Sequence, residues 1–161
     1  MPEQDTVVPF SLGGVTPGPE EWGPHVLQNE HLSFLLFDAI RGNEAGADRS
    51  AGTAIVTING CLSTRFGYPN DEALGGHPLY RRGLRHYRIF EVLNSSWIST
   101  MAEQNRLCFP HSDIFASDRH WIFTFQDSTF ECVAKSLELE VSNTPFRELF
   151  QSICERFLPG K

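Results

Sequence analysis

The sequence predicts an α+β domain, a curved and mainly antiparallel sheet of five to six strands with two packed helices, one central and one C-terminal. Two kinds of periodicity point there. Runs rich in β-branched and aromatic residues recur at 32–40 (LSFLLFDAI), 53–59 (TAIVTIN), 88–93 (RIFEVL) and 120–141. Helical spacing of apolar residues is confined to 97–108 and 146–157.

The run from Leu32 to Ile40 is apolar on both alternating faces, as in a strand buried on both sides. Thr53 to Asn59 alternates behind a polar, small-residue loop at 41–52 and forms the next strand. Residues 60–80 are irregular, with Tyr-Pro-Asn-Asp and Gly-Gly-His-Pro as turn signals. A loop this long in a compact domain is either functional or conceals a short element. After the strand at 88–93, Asn94-Ser95-Ser96 caps a helix whose stripe is Trp97, Ile98, Met101, Ala102, Asn105 and Cys108, stopped by Pro110.

A hairpin from His120 to Val141 follows. A two-residue turn at Asp127-Ser128 pairs Phe125 with Phe130, Thr124 with Glu131, Phe123 with Cys132 and Trp121 with Ala134. One face then carries Trp121, Phe123, Phe125, Phe130, Cys132 and Ala134. Beyond it the apolar parity flips from even positions to odd (Leu137, Leu139, Val141), which requires a bulge near 134–136 or a bend between two strands. The last helix takes Thr144 as N-cap and Pro145 at its first position, with Phe146, Leu149, Phe150, Ile153, Cys154 and Phe157 in one stripe.

At 161 residues the chain is long enough for one domain with a sizeable core. Residues 1–24, with five prolines and no periodicity, read as an extended or partly disordered arm, and 25–161 as a single α+β domain. No apolar run reaches the roughly 18 residues of a membrane span, so no membrane partner is expected. The first residues, Met-Pro-Glu-Gln-Asp, lack the apolar core of a secretory signal. Cys61, Cys108, Cys132 and Cys154 form no C-x-x-C pair, and reduced thiols in a cytoplasmic protein are expected. Net charge is −7, which opposes nucleic acid as a partner.

That charge is uneven. Residues 1–48 carry eight acids against Arg41, whereas 49–100 carry six arginines against Asp71, Glu72 and Glu91. The segment 77–88, HPLYRRGLRHYR, interleaves arginines with histidines and tyrosines. Tyr80, Arg81, Arg85, His86 and Tyr87 are therefore the candidate ligand-binding residues, able to clamp an anion and stack on a planar body. The bland alternative is a solvated basic turn paired with the acidic first third of the chain. Glu91 and Glu131 each sit mid-strand among apolar neighbours, where a carboxylate is exposed, ion-paired or placed in a cavity for acid–base work. Glu131, His77 and Glu91 are the candidate catalytic residues.

No two histidines have the spacing that puts both on one face of a helix or strand, although a site gathered from scattered positions such as His77, His86 and Glu131 stays open. No nucleotide-binding glycine motif, G-x-S-x-G or zinc-type cysteine pair occurs, and neither a cofactor nor a metal is expected. The expected function is a small soluble domain that binds an anionic or planar small molecule, with acid–base catalysis as the chemistry Glu131 offers. The alternative is a protein-interaction or accessory module without catalysis.

Overall fold

A computed structural model describes residues 4–19, 23–42 and 49–160. The fold is α+β with mainly antiparallel sheets, and the strands divide into two sheets of five. The first runs in the order β1 (Thr6–Pro9), β7 (Ile89–Leu93), β8 (Arg119–Thr124), β9 (Thr129–Ala134), β6 (Ser63–Gly67). In the second, β10 (Ser136–Ser142), β5 (Arg49–Asn59), β4 (Ser33–Arg41) and β2 (Thr16–Pro17) are neighbours, and β3 (His25–Gln28) also pairs with β4. The helices are α1 (Ser96–Arg106) and α2 (Phe146–Glu155). No described helix is long and apolar enough to cross a membrane.

A single sheet of five to six strands was the expectation, and the parity flip after Ala134 explains the difference. It is the bend at which β9 leaves the first sheet and β10 enters the second, pairing Leu137 with Ile58 and Leu139 with Val56. The remaining strands are short, polar or proline-bearing, and period-two alternation is weak in all of them. In the proline-rich arm, Thr6–Pro9 pairs with β7 and Thr16–Pro17 with β4. Within 60–80, Ser63–Gly67 pairs with β9. The predicted loop 41–52 lies partly outside the described residues, as do positions 1–3 and 20–22 of the arm.

Burial arranges the sheets into layers. Leu35, Phe37 and Ala39 of β4 and Ala54, Val56 and Ile58 of β5 meet Trp121, Phe123, Phe130 and Cys132 between the sheets. The outer face of the second sheet (Phe34, Leu36, Ile55) is covered by Leu149 and Ile153 of α2, as the stripe predicted. That helix begins at Phe146 with Pro145 in the cap position, one residue later than expected and without a side-chain cap. The outer face of the first sheet (Val7, Phe90, Val92, Ile122) is covered by Leu74, Leu79 and Leu84. These three leucines nail the irregular segment 68–88 onto the sheet, with short 3-10 turns at Leu74–Gly76 and Tyr80–Arg82.

The β8–β9 hairpin differs from the prediction by two residues. Thr124 pairs with Thr129, Phe123 with Phe130, Ile122 with Glu131 and Trp121 with Cys132. The turn spans 125–128, closed by the Phe125 N–H donating to the Ser128 carbonyl at 2.9 Å. A shift of two preserves parity, so every side chain keeps its predicted face.

Candidate functional site

Glu131 and His120 both project from the outer face of the first sheet, one strand apart. His120 pairs with Val133, diagonal to Glu131. Arg65 of β6 lies directly opposite Glu131 on the other side, so its side chain shares that face. The first turn of α1 closes one flank of the site. Its N-cap is Ser95, the middle residue of the predicted capping triplet 94–96, whose Oγ accepts from the Ile98 N–H. The apolar stripe of α1 is not a core face, for none of its residues is fully buried. Trp97 turns toward the sheet edge, under the Arg65 guanidinium at 3.8 Å and edge-on to His120 with ring centroids 5.1 Å apart. The opposite flank is His77-Pro78-Leu79, held by the buried Leu74 and Leu79.

Together these residues enclose a cavity of about 490 Å³, with Asp5, Tyr68 and Pro69 completing its walls. Asp5 accepts from the Ser96 N–H at 2.5 Å and the Ser96 hydroxyl at 2.8 Å, fixing the start of α1 to the arm.

Glu131 is the chemical centre. Its residue exposure is only 7%, yet it is bonded to two imidazoles, His120 Nε2 at 2.8 Å and His77 Nε2 at 3.4 Å. The partners of each ring assign the protons. His77 Nδ1 accepts from the Leu79 N–H at 3.1 Å, so His77 is neutral and carries its hydrogen on Nε2, aimed at Glu131. His120 Nδ1 faces Ser95 Oγ at 2.9 Å. An ionised Glu131 can only accept, which puts a proton on His120 Nε2, and Ser95 Oγ, with one lone pair and its own hydrogen left beside the bond from Ile98, can serve Nδ1 as donor or acceptor. Burial pushes the Glu131 pKa up, but the hydrogen bonds from His120 and His77 override it and hold the carboxyl down at about 2. The result is a buried, ionised carboxylate at the floor of a partly open pocket, with one imidazole linked onward to a hydroxyl.

These three side chains bond to one another rather than around a shared vacancy. A metal at His77 Nε2 would have to displace the proton that the Leu79 contact places there. No metal-holding group of three or more His, Cys, Asp or Glu occurs among the described residues.

Of the candidate residues from the sequence, the cavity gathers His77 and Glu131. Glu91 lies on the opposite face of the first sheet, paired in register with Trp121, and holds Arg119 through two short charged hydrogen bonds. The Arg119 guanidinium in turn covers the rings of Phe10 and Trp121. Arg85 donates to the carbonyls of Tyr80 and Leu84 and sits 5.4 Å over the Tyr80 ring. Tyr80 packs on the leucine cluster. His86 Nε2 meets the Asp71 carbonyl at 2.9 Å. The Tyr87 hydroxyl donates to Asp71, a bond that pushes its pKa up to about 12. Arg81 is exposed and makes no hydrogen bond or ion pair among the described residues. Arg82, its neighbour, donates to Gln4 and to the Asp5 carbonyl, tying the basic segment to the arm. The basic segment is thus engaged mainly with its own backbone, Asp71 and the arm, and none of its arginines lines the cavity.

Sequence reasoning missed His120, Arg65, Trp97 and Ser95 as site residues. The signal for His120 was present, since the series Thr124, Ile122 on the Glu131 face reaches it in one further step of two. Arg65 had no such signal, because STRFG does not alternate clearly enough to mark a strand. Comparison of the chain with protein-family models, with curated proteins and with solved structures finds no match in any of the three.

Proposed function

We propose that the protein binds a small planar molecule in the cavity over Glu131 and moves a proton to or from it. The supporting observation is the buried carboxylate between His77 and His120, with acceptor capacity left over at the cavity. A buried charge is expensive to keep in a fold for stability alone, since well-packed apolar residues serve as well or better. Here Glu131 sits at a concave surface walled by Trp97, Tyr68, Pro69, Pro78 and Leu79, the usual make-up of a small-molecule site.

As a general base, Glu131 would take a proton from the bound molecule. The transferred proton would rest on a Glu131 oxygen at the cavity, while the rings of His120 and His77 keep their bonds to the carboxyl and orient it, His120 backed by Ser95 and His77 by the Leu79 N–H.

The interaction-module alternative draws on another place. Leu107, Phe109 and Ile114 are exposed on the segment after α1, beside an apolar groove. Nothing in the structure shows what covers them, and the cavity carries more of the chemistry.

A thermal-shift screen against divalent metals and anionic or aromatic metabolites tests the reading, run on the wild type, Glu131→Gln and Glu91→Gln. A ligand at one hundred times its Kd adds about 2.7 kcal/mol. The expected result is a compound that raises Tm in the wild type and in Glu91→Gln but not in Glu131→Gln. A flat screen, or hits that stabilise Glu131→Gln equally, would overturn it.

A further inference from the structure

The cavity holds a second charged group whose bonding capacity is unspent. Arg65 lines it, directly across the β6–β9 pair from Glu131. Directly opposed residues of an antiparallel pair have Cβ atoms about 4.5–5.5 Å apart, so an ion pair between the two would be the default. The structure does not form it. The Arg65 guanidinium instead sits over the Trp97 ring, 3.8 Å from its centroid, and this exposed side chain makes no hydrogen bond or ion pair among the described residues. A stacked guanidinium keeps its N–H edges free, and those edges match a carboxylate in bidentate fashion. Glu131, for its part, spends two of its roughly four lone-pair positions on the histidines, leaving acceptor capacity on a carboxylate that lines the cavity. The enclosure therefore presents a donor pole and an acceptor pole on adjacent strands, with an aromatic wall beside them.

We propose that the ligand is an amino-acid-like zwitterion, its carboxylate held by Arg65, its amine facing Glu131, and an apolar planar body against Trp97 and Tyr68. This rests on the cavity reading above and adds the polarity and spacing of the ligand. The arginines of 77–88 have no part in it, and the anion-binding role falls to Arg65 alone.

Three probes sharing one ring separate the poles: phenylalanine, 3-phenylpropanoate without the amine, and 2-phenylethylamine without the carboxylate. Titration calorimetry on the intact chain is expected to show phenylalanine binding at least tenfold more tightly than either half-molecule. Arg65→Gln should lower phenylalanine affinity to that of 2-phenylethylamine while leaving the amine probe unchanged. Glu131→Gln should do the converse, reducing phenylalanine to the level of 3-phenylpropanoate. Circular dichroism melts of both variants establish that they are folded before titration. Equal binding of phenylalanine by Arg65→Gln and wild type would overturn the inference. So would a half-molecule that binds as well as the zwitterion, or no binding by any of the three. Where binding depends on Glu131 but not on Arg65, this inference fails and the proton-transfer reading stands. Where it depends on neither, both fail.

Discussion

Glu131→Gln is expected to lower folding stability by about 2–3 kcal/mol at pH 7, and by almost nothing near pH 2. The sign follows from the direction of the shift. Glu131 titrates at about 2 in the folded chain against an ordinary 4.5. Its contribution is therefore complete above about pH 4.5 and is lost as the pH falls toward 2. Glutamine keeps the shape and removes this dependence. It also has to satisfy two N–H donors with one carbonyl oxygen. His77 cannot adapt, because Leu79 occupies its Nδ1. His120 can, by moving its proton to Nδ1 and donating to Ser95, so that Nε2 accepts from the new amide. Urea melts of both proteins at pH 7 and pH 2.5 measure the gap, which should shrink at the second to roughly a quarter of its size at the first. A constant gap would mean that Glu131 is not held ionised by these partners. Any turnover the protein has should fall by roughly 10²–10⁴ in the same variant, the usual worth of a general base.

Phe123→Ala is expected to have the largest effect on stability, about 3–5 kcal/mol. For a domain of this size that is a fall in Tm of roughly 6–20 °C. The ring has no exposed surface and lies between the sheets, stacked on Phe125 and edge-on to Phe37 and Phe130. Its neighbours belong to both sheets, so collapse into the void would have to shift one layer against the other. Phe109→Ala is the control, since that ring is 63% exposed and its loss should change stability by no more than about 0.5 kcal/mol. Similar melting temperatures for the two variants would contradict the layered packing.

Periodicity made the strands at 32–40, 53–59, 88–93 and 120–141 legible, along with both helices, whereas Arg49–Gly52, read as part of a loop, extends β5, and the α1 stripe marks a helix without a fully buried face. Face assignments survived even where pairing did not. The hairpin turn is two residues wider at its base than predicted, and parity is indifferent to an even shift. The division into two sheets was written in one place only, the parity flip between Ala134 and Leu137, and either a bulge or a bend could produce it. β1, β2, β3 and β6 were not legible, because their place is set by pairing rather than by their own pattern.

The site was legible in part for the same reason. Glu131 stood out as an acid among apolar strand neighbours, and His77 as a histidine between turn signals. The arginine-rich stretch stands out by composition, yet apart from the exposed Arg81 its arginines and Tyr87 are spent on nearby carbonyls, on Asp71 and on the arm. Arg65, a single arginine in a polar run, gained its place only through a strand pairing that joins residues 66 positions apart in the sequence. Glu91 and Glu131 looked equivalent, and what separates them is one residue of register across β8: Glu91 faces Trp121, and Glu131 faces the cavity.

The most direct test of the account is a carbon-13 NMR titration of the Glu131 side-chain carboxyl, assigned by its loss in Glu131→Gln, between pH 7 and pH 2. The account predicts a resonance that stays in the ionised position below pH 4.5 and begins to move only as the pH approaches 2. A midpoint at or above 4.5 would contradict it, for the carboxyl would then be governed by its burial and not by His77 and His120.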